Sequence, residues 1–555
     1  MTSRFDEEGA VPLSQLANDY FDATELRNVS AGPTSFREAG LGTPPAAPSS
    51  PQRLAPVRSA ARHGKLFNDP VHSAFRLDPV SVDIIDSRPF QRLRKLKQLG
   101  LTYYVFPGAS HNRFEHSLGV AHLAYRFARH FQAIQGAELQ VERRDLRIAE
   151  LAGLCHDLGH GPFSHVFDRE LLRAKGITGW EHEDMSSAML DLIIDEEHLD
   201  SIPREDVRAV QSMITSAHGG GAGGGALPPG KRWLQEIVAN GRNGIDVDKF
   251  DYLARDGLYC GVKTSFDANR IMQFSKVIDD EICYRYSEYM TLHELFHSRA
   301  IMHRQVYTHR KAKAIEFMVV DALLEADAAL RVTDRVWDPR EFQTLDDSLL
   351  DAIENFSLFK PLLGVLEDDD NLGALERAQA IIQRVRRRDL YKFCSEALIP
   401  AEDLDRGRWR APTAADIINS YRGSGPRLRP EDVIVQENII NFSMRNLNPL
   451  DSVHFFDNLE SVSKRALRTD QISLMVAPVF QESTLRVYSK DSSPEAVHAV
   501  QAAFDSWLEE RFRGKVTTPT PSKAPPPPRT TGNTSGEPPI KRLRPAFEDD
   551  TPPPQ

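Results

Sequence analysis

From Phe114 to Phe131, apolar residues recur at intervals of three and four: Phe114, Leu118, Ala121, Ala124, Phe127, Ala128 and Phe131. That spacing predicts a helix with one buried face. The stretch Leu146 to Leu158 is apolar on almost every side, which predicts a buried helix ended by Gly159, Gly161 and Pro162. Ala314 to Leu330 is a third strong helical run. Lys65 to Pro70 reads as a short strand entering a turn, and 472–476 and 485–488 read as strands. Ser493-Pro494-Glu495 predicts an N-cap with proline at the first helical position, opening a last helix to about Phe512. The pattern thus predicts a mainly α protein. A helical core spans 63–332, and a smaller mixed α/β lobe spans 333–514.

Outside those limits the periodicity fails. Residues 1–62 are rich in Ala, Pro, Ser and Gly, and 515–555 carries Pro525 to Pro528 and Pro552 to Pro554. Such segments cannot bury enough apolar surface to offset chain entropy, so a disordered arm and tail are predicted. The 555 residues are 41% hydrophobic and 26% charged, which excludes a collagen-like or wholly disordered chain. A net charge of −11 argues against a globally basic nucleic-acid binder. The four cysteines, Cys155, Cys260, Cys283 and Cys394, form no CxxC. That argues for a reducing compartment and against a Cys-type zinc site. No apolar run reaches the ~18 residues of a membrane helix, and the first residues lack a signal-peptide core. A soluble intracellular protein is expected. Gly225 to Lys231 matches half of a phosphate-binding P-loop, but Arg232 stands where Ser or Thr would hold magnesium. Pro228 and Pro229 also lack the N–H groups that cradle phosphate, so a surface loop is predicted.

Eight of the 18 histidines fall between His111 and His182. The dense part runs Cys155-His156-Asp157-Leu158-Gly159-His160-Gly161-Pro162-Phe163-Ser164-His165. Unpartnered polar groups in a buried helix cost several kcal/mol, and a divalent metal would remove that penalty. His and Asp together suit Zn, Mn or Fe. His160 follows His156 by one helical turn, so both are predicted on one helix face. His116 lies on the preceding helix, and Asp246, Asp248 and Asp251 crowd a short stretch further on. One reading of those acids is capping and dipole compensation. Three acids exceed what one cap requires.

His116, then His156-Asp157, then Asp248 reproduces the H…HD…D order of the HD-domain metallohydrolases. Three longer stretches resemble one family more closely, the SAM-and-HD-domain deoxynucleoside triphosphate triphosphohydrolases. They are Phe106-Pro-Gly-Ala-Ser-His-Asn-Arg-Phe-Glu-His-Ser-Leu-Gly-Val120, the run from Ala152 to His165, and Arg242-Asn-Gly-Ile-Asp-Val-Asp-Lys249. The similarity runs from about Lys65 to about Lys515. It implies an HD-domain fold and hydrolysis of a dNTP to the deoxynucleoside and inorganic triphosphate. His116, His156, Asp157 and Asp248 would hold one Fe, Mn or Zn ion, with Mg on the nucleotide phosphates. Such a metal polarises the α-phosphate and activates a water. His160 and His182 would complete the catalytic shell, and His165, oriented by Asp168, would protonate the leaving 5′ oxygen. Arg113, Lys249, Arg299 and Tyr252 match phosphate-contacting positions. Gln98 and Asp256 would bond the 3′-hydroxyl, Leu99 would pack on the base, and Tyr307 would exclude a 2′-hydroxyl. The family usually has Gln after that Tyr; here it is Thr308, so base-edge contacts are expected to differ.

The resemblance also implies activation by nucleotides bound between subunits of a dimer or tetramer. Lys65, Asp86, Gln91, Arg94 and Phe114 match a site for GTP or dGTP, where an acid such as Asp86 can accept from guanine N–H groups. Asn68, Val105, Arg270, Arg285 and Arg310 match an adjoining dNTP site. Ser287 and Thr291 depart from the family's Lys and Asn, which weakens the expectation for effector affinity and tetramer stability. Residues 1–62 are too short and too polar for a SAM domain, which is expected to be missing. In the tail, Lys541-Arg542-Leu543-Arg544 reads either as a nuclear-import signal or as a solubilising stretch, and Thr520-Pro521 matches a proline-directed kinase site. Two rival functions stay open. One is an HD phosphodiesterase on another phosphoester. The other is a nucleic-acid-binding protein without catalysis, and the basic stretch Arg88 to Lys97 could bind single strands as a secondary activity.

Overall fold

The computed structural model of the chain describes residues 64–216, 227–359, 369–405, 409–443, 446–467 and 479–516. The arm, the strand expected at 472–476, Thr520 and Lys541 to Arg544 lie outside them. Strands β1 (Lys65–Asp69) and β2 (Ser73–Leu77) form an antiparallel hairpin with Lys65 opposite Leu77. The amphipathic run becomes helix α1 (Arg113–Leu139), entered through Asn112, whose N–H donates to Glu115 Oε1 at 2.8 Å. The buried run becomes helix α2 (Arg143–Cys155). It lies so close to α1 that a Cβ on Gly153 would sit 2.9 Å from the Val120 carbonyl oxygen.

The helix α2 ends three residues earlier than the sequence predicts. His156 is its C-cap, and 156–159 form a turn, so His156 and His160 do not share a helix face. The reason is tertiary. Ser186 Oγ donates to the His156 carbonyl at 2.7 Å and accepts from Gly159 N at 2.8 Å. It takes over backbone bonds that a continuing helix would have made. A Cβ on Gly159 would fall 2.1 Å from the His182 carbonyl oxygen, so this approach requires glycine.

Helices α3 (His182–Glu196) and α4 (Arg204–Ile214) follow, then α5 (Val247–Cys260), capped by Asp246, whose Oδ1 accepts from Lys249 N at 3.1 Å. Strands β3 (Ser275–Ile278) and β4 (Glu281–Arg285) lead to helices α6 (Tyr289–Met302), α7 (Arg310–Leu330) and α8 (Asp369–Arg386). Strands β5 (Lys392–Leu398), β6 (Val433–Asn441), β7 (His454–Phe456), β8 (Arg465–Ala466) and β9 (Gln481–Ser489) come next, and helix α9 (Pro494–Phe512) is last. Ser493 caps α9 as the sequence predicts, with Oγ accepting from Ala496 N at 3.3 Å. One sheet has the order β3-β4-β7-β8, with β4 and β7 parallel; the other, β5-β9-β6, is antiparallel.

The main apolar core extends from Phe75 to Tyr488 and takes in Val336, Phe342, Leu345 and Leu350 together with α1, α2 and α7. A separate cluster joins α9 to its sheet through Leu485, Val487, Phe504 and Leu508. Lys231, the lysine of the P-loop look-alike, pairs at 2.6 Å with the buried Asp145. Gly225 and Ala226 lie outside the described residues. No helix among the described residues is long and apolar enough to cross a membrane.

Candidate functional site

Helices α1 and α5 and the turn after α2 bring four side chains to one point. His116 Nε2 lies 3.2 Å from His156 Nε2, 3.1 Å from Asp248 Oδ1 and 3.5 Å from Asp157 Oδ2. His156 Nε2 lies 3.4 Å from Asp157 Oδ1 and 3.5 Å from Asp248 Oδ1. The remaining ring nitrogens are engaged. His116 Nδ1 donates to Asp251 Oδ2 at 2.7 Å, and His156 Nδ1 donates to the Gly153 carbonyl at 2.8 Å. In the neutral rings this leaves both Nε2 lone pairs pointing at each other, between two carboxylates. Such an arrangement repels itself unless a cation sits between. Burial lowers the His116 imidazole, yet its hydrogen bonds to Asp248 and Asp251 push it up to about 10. The site therefore calls for positive charge, and two nitrogens with two carboxylate oxygens fit a divalent transition metal.

The capping reading holds for one of the three acids in this stretch. Asp246 caps α5, Asp248 faces the two histidines, and Asp251 is a hub. The fully buried Asp251 carboxylate receives His116, His72 Nε2 at 2.6 Å, and Arg255 through Nε and Nη2, both at 2.8 Å. Arg255 Nη1 continues to Asp69 Oδ2 at 2.8 Å. Gly119 admits this cluster: a Cβ there would lie 2.0 Å from Asp251 Oδ1.

His160, His165 and His182 form a second group beside the first. The His160 ring stacks on His182 at 3.8 Å between centroids, and His165 meets His160 edge-on at 5.1 Å. His160 Nε2 is 3.2 Å from Asp157 Oδ1. Burial holds His160 and His182 well below the usual imidazole range, helped by Arg113 at His160 and by His160 at His182. His165 is half-exposed, 3.5 Å from Asp168 Oδ2.

The turn carrying these histidines is held in an unusual shape. Phe163 and Ser164 both have positive φ, 61° and 59°, which costs energy in non-glycine residues. Asp347 Oδ1 accepts from Phe163 N at 2.7 Å, and its Oδ2 accepts from Lys97 N at 2.9 Å. Ser164 Oγ donates to the Lys97 carbonyl at 2.8 Å and accepts from Arg113 Nε at 3.0 Å. Arg92, buried, donates to the carbonyls of Leu158, His160 and Leu345 at 3.2, 2.6 and 2.6 Å. The basic stretch Arg88 to Lys97 therefore does not present all its charges to solvent. The stretch is a short helix followed by a 3-10 turn, and Arg92 is spent on carbonyl groups inside.

The cations expected to meet phosphate have partners within the chain. Arg113 Nη1 bonds Asp157 Oδ2 at 2.5 Å, Lys249 Nζ bonds Asp246 Oδ2 at 3.1 Å, and Arg299 Nη1 donates to the Asn441 carbonyl at 2.5 Å. Burial raises the Tyr252 hydroxyl, against the opposing fields of Lys249 and Arg299, which places the three in one electrostatic neighbourhood. Tyr307 donates to Asp256 Oδ2 at 2.8 Å, and His111 Nε2 meets Asp256 Oδ1 at 2.7 Å. Gln98 and Leu99 follow the 3-10 turn and are half-buried.

Of the expected effector residues, one set falls into two contacting groups. Lys65 Nζ lies 3.6 Å from Asp86 Oδ1, Arg94 Nε donates to Gln91 Oε1 at 2.9 Å, and the Arg94 guanidinium stacks 3.5 Å over Phe114. In the other set, Arg270 and Arg285 both approach Phe274, at 4.9 and 5.7 Å, while Arg310 lies over Phe393 at 5.0 Å. Asn68 stands on β1 and Val105 ends a 3-10 turn. Arg270 is clamped by the buried Glu288 through two bonds of 2.6 Å, and Ser287 and Thr291 donate to that same carboxylate.

Sequence reasoning missed His72, Arg92, His111, Arg255 and Asp347, and named Asp251 without a role. His111 sits inside the Phe106 to Val120 stretch, and Arg92 inside the basic one, so both carried a signal. Asp347 carried none.

Residues 113–256 match the HD domain family model, a span that begins at Arg113, ends at Asp256 and contains all four converging side chains. The deoxynucleoside triphosphate triphosphohydrolase SAMHD1 homolog of Dictyostelium discoideum is 39% identical over 451 residues, covering 81% of this chain and 82% of its own. Homo sapiens deoxynucleoside triphosphate triphosphohydrolase SAMHD1 is 35% identical over 474 residues, 80% and 74% of the two chains. A putative HD domain-containing protein, L394, of Acanthamoeba polyphaga mimivirus is 29% identical over 445 residues, 78% and 93%. Identity of this order across most of both chains, around an HD domain built to take a metal, makes the chain a member of the SAMHD1 family of deoxynucleoside triphosphate triphosphohydrolases.

Proposed function

We propose that this protein hydrolyses dNTPs to the deoxynucleoside and inorganic triphosphate. The observation that carries the reading is the convergence of His116, His156, Asp157 and Asp248 on one point. These four would hold an Fe, Mn or Zn ion, which when bound supplies Lewis acidity at the α-phosphate and lowers the pKa of water. The chain's own residues do the rest. Arg113 neutralises and orients Asp157. His160 and His182, kept neutral by burial, line the side from which water approaches the α-phosphorus. His165 is half-exposed and backed by Asp168, so it can exchange protons with solvent and pass one to the departing 5′ oxygen. Lys249, Arg299 and Tyr252 supply charge and hydrogen bonds to the triphosphate. Gln98 and Asp256 read the 3′-hydroxyl, Leu99 supports the base, and Tyr307 closes the space a 2′-hydroxyl would need.

The regulatory reading is that GTP or dGTP binds at Lys65, Asp86, Gln91, Arg94 and Phe114. In its support, Lys65 pairs with the exposed Asp86 carboxylate, and Arg94 stacks on Phe114. A dNTP at Asn68, Val105, Arg270, Arg285 and Arg310 of adjoining subunits would complete a tetramer and set the dNTP pool. Residues 63–332 form the catalytic part and 333–514 the supporting lobe. The Lys541 to Arg544 stretch supports nuclear import.

The test is hydrolysis of dNTPs by purified protein with Mg2+ plus Mn2+ or Fe2+, with and without GTP. Triphosphate release that needs GTP, and that Asp86→Ala abolishes, is the expected result. GTP-independent release would keep the chemistry and remove the switch. No hydrolysis by folded, metal-loaded protein would remove both.

A further inference from the structure

Asp256 is 1% exposed, and each of its oxygens is held by a different partner: Oδ1 by His111 Nε2 at 2.7 Å, Oδ2 by the Tyr307 hydroxyl at 2.8 Å. His111 is as deeply buried, with its ring stacked on Tyr259 at 4.5 Å between centroids. A carboxylate only accepts, so Nε2 carries the proton of that bond, and Nδ1 lies on the other side of the ring. That Nδ1 is buried with no hydrogen-bond partner, and so is Gln98 Oε1. Unpaired buried polar atoms are uncommon and ask for an explanation.

The main chain links the same residues. Gln98 N donates to the His111 carbonyl at 3.0 Å, and Lys97 pairs with Asn112 as an isolated antiparallel bridge. His111 thus holds Asp256 with its ring and Gln98 with its backbone. It fixes the distance between two groups on different elements.

We propose that His111 is a positioning residue for sugar recognition, locking Asp256 and Gln98 into the geometry that reads a 3′-hydroxyl. The inference rests on the dNTP reading above. With each oxygen anchored by a different partner, the Asp256 carboxylate is fixed in orientation while each oxygen keeps a lone pair. A hydroxyl that donates to them, with the Gln98 amide as its second partner, completes the cluster. A substrate without that hydroxyl leaves buried polar groups unpaired, which is how a site rejects an analogue by large factors.

The test is internal competition between a dNTP and the matching 2′,3′-dideoxynucleoside triphosphate in one reaction, so that both substrates meet the same effector occupancy. Full-length wild-type protein should favour the 3′-hydroxyl substrate by ~100-fold or more in kcat/KM. His111→Phe keeps a ring on Tyr259 but cannot donate, and should narrow that ratio by ~10-fold or more. His111→Gln, whose amide can donate from nearly the Nε2 position, should recover most of it. If His111→Phe fails to fold, His111→Asn carries the same expectation, because its shorter amide cannot reach Asp256. An equal loss on both substrates, with the ratio unchanged, would mean His111 is merely structural and would overturn the inference. Absence of hydrolysis of any dNTP by the wild type is a different failure: it removes the functional reading and this inference with it.

Discussion

A histidine can offer a lone pair to a cation only if its other nitrogen keeps the proton. At His116 that condition is met by Asp251, itself fixed by His72 and twice by Arg255. Asp251→Asn removes the charge that holds the His116 tautomer while keeping the size. Metal affinity should fall ~10- to 100-fold, read as metal retained after dialysis against a graded chelator. Unchanged retention would mean that the hub is structural only. A second single-residue expectation concerns Glu150, far from any proposed ligand role. Burial pushes its carboxyl up to about 7, although Ser81 Oγ and Asp78 N donate to it at 2.5 and 2.9 Å. Its folded value lies above the ordinary 4.5, so the folded state holds the proton more tightly than the unfolded chain. Its stabilising contribution is therefore full below about pH 4.5 and is lost as pH rises to about 7. Glu150→Gln should leave Tm nearly unchanged at pH 5 and stabilise at pH 8 by about 3 kcal/mol. A gain that does not grow between those pH values would contradict the assignment.

At the scale of elements, the turn after α2 decides how much of the site could be read from the sequence. The helices α1, α2, α7 and α9 were legible because their apolar spacing and caps are local. Gly159 and Gly161 rightly signalled an ending. The ending falls at Cys155 because Ser186, on a helix remote in sequence, captures the His156 carbonyl and Gly159 N. No local pattern encodes that. The same holds for Asp347, which braces the left-handed Phe163 from 184 positions away. Asp347→Ala should orphan the N–H groups of Phe163 and Lys97 and release the turn. A loss of about 2 to 4 kcal/mol in denaturant unfolding is expected. Hydrolysis should fall further than stability explains, because the turn carries His160. Full activity with normal stability would show that the turn holds its shape unaided.

At the scale of the whole molecule, one core joins residues on both sides of position 333. Phe342 meets Phe167 and Trp180 at 6.1 and 5.6 Å between ring centroids, and Arg92, which also bonds the Leu158 and His160 carbonyls, bonds the Leu345 carbonyl. The stretch after residue 333 therefore shapes the site as well as continuing toward the lobe. The H…HD…D set was legible through its resemblance to the HD-domain pattern, to which a His-Asp pair in an apolar run added only a weak signal of its own. The residues that orient them were not, since each reads alone as an ordinary charge. The central claim is that water attacks the α-phosphorus and the 5′ oxygen leaves, with His116, His156, Asp157 and Asp248 holding the metal. The most direct measurement is hydrolysis in 18O-labelled water with mass analysis of both products, using the His156→Ala, Asp157→Ala double variant as the control for contaminating activity. The account predicts one 18O in inorganic triphosphate, an unlabelled deoxynucleoside, and neither product from the variant. Label in a nucleoside monophosphate or in the deoxynucleoside, or release of pyrophosphate instead of triphosphate, would contradict it.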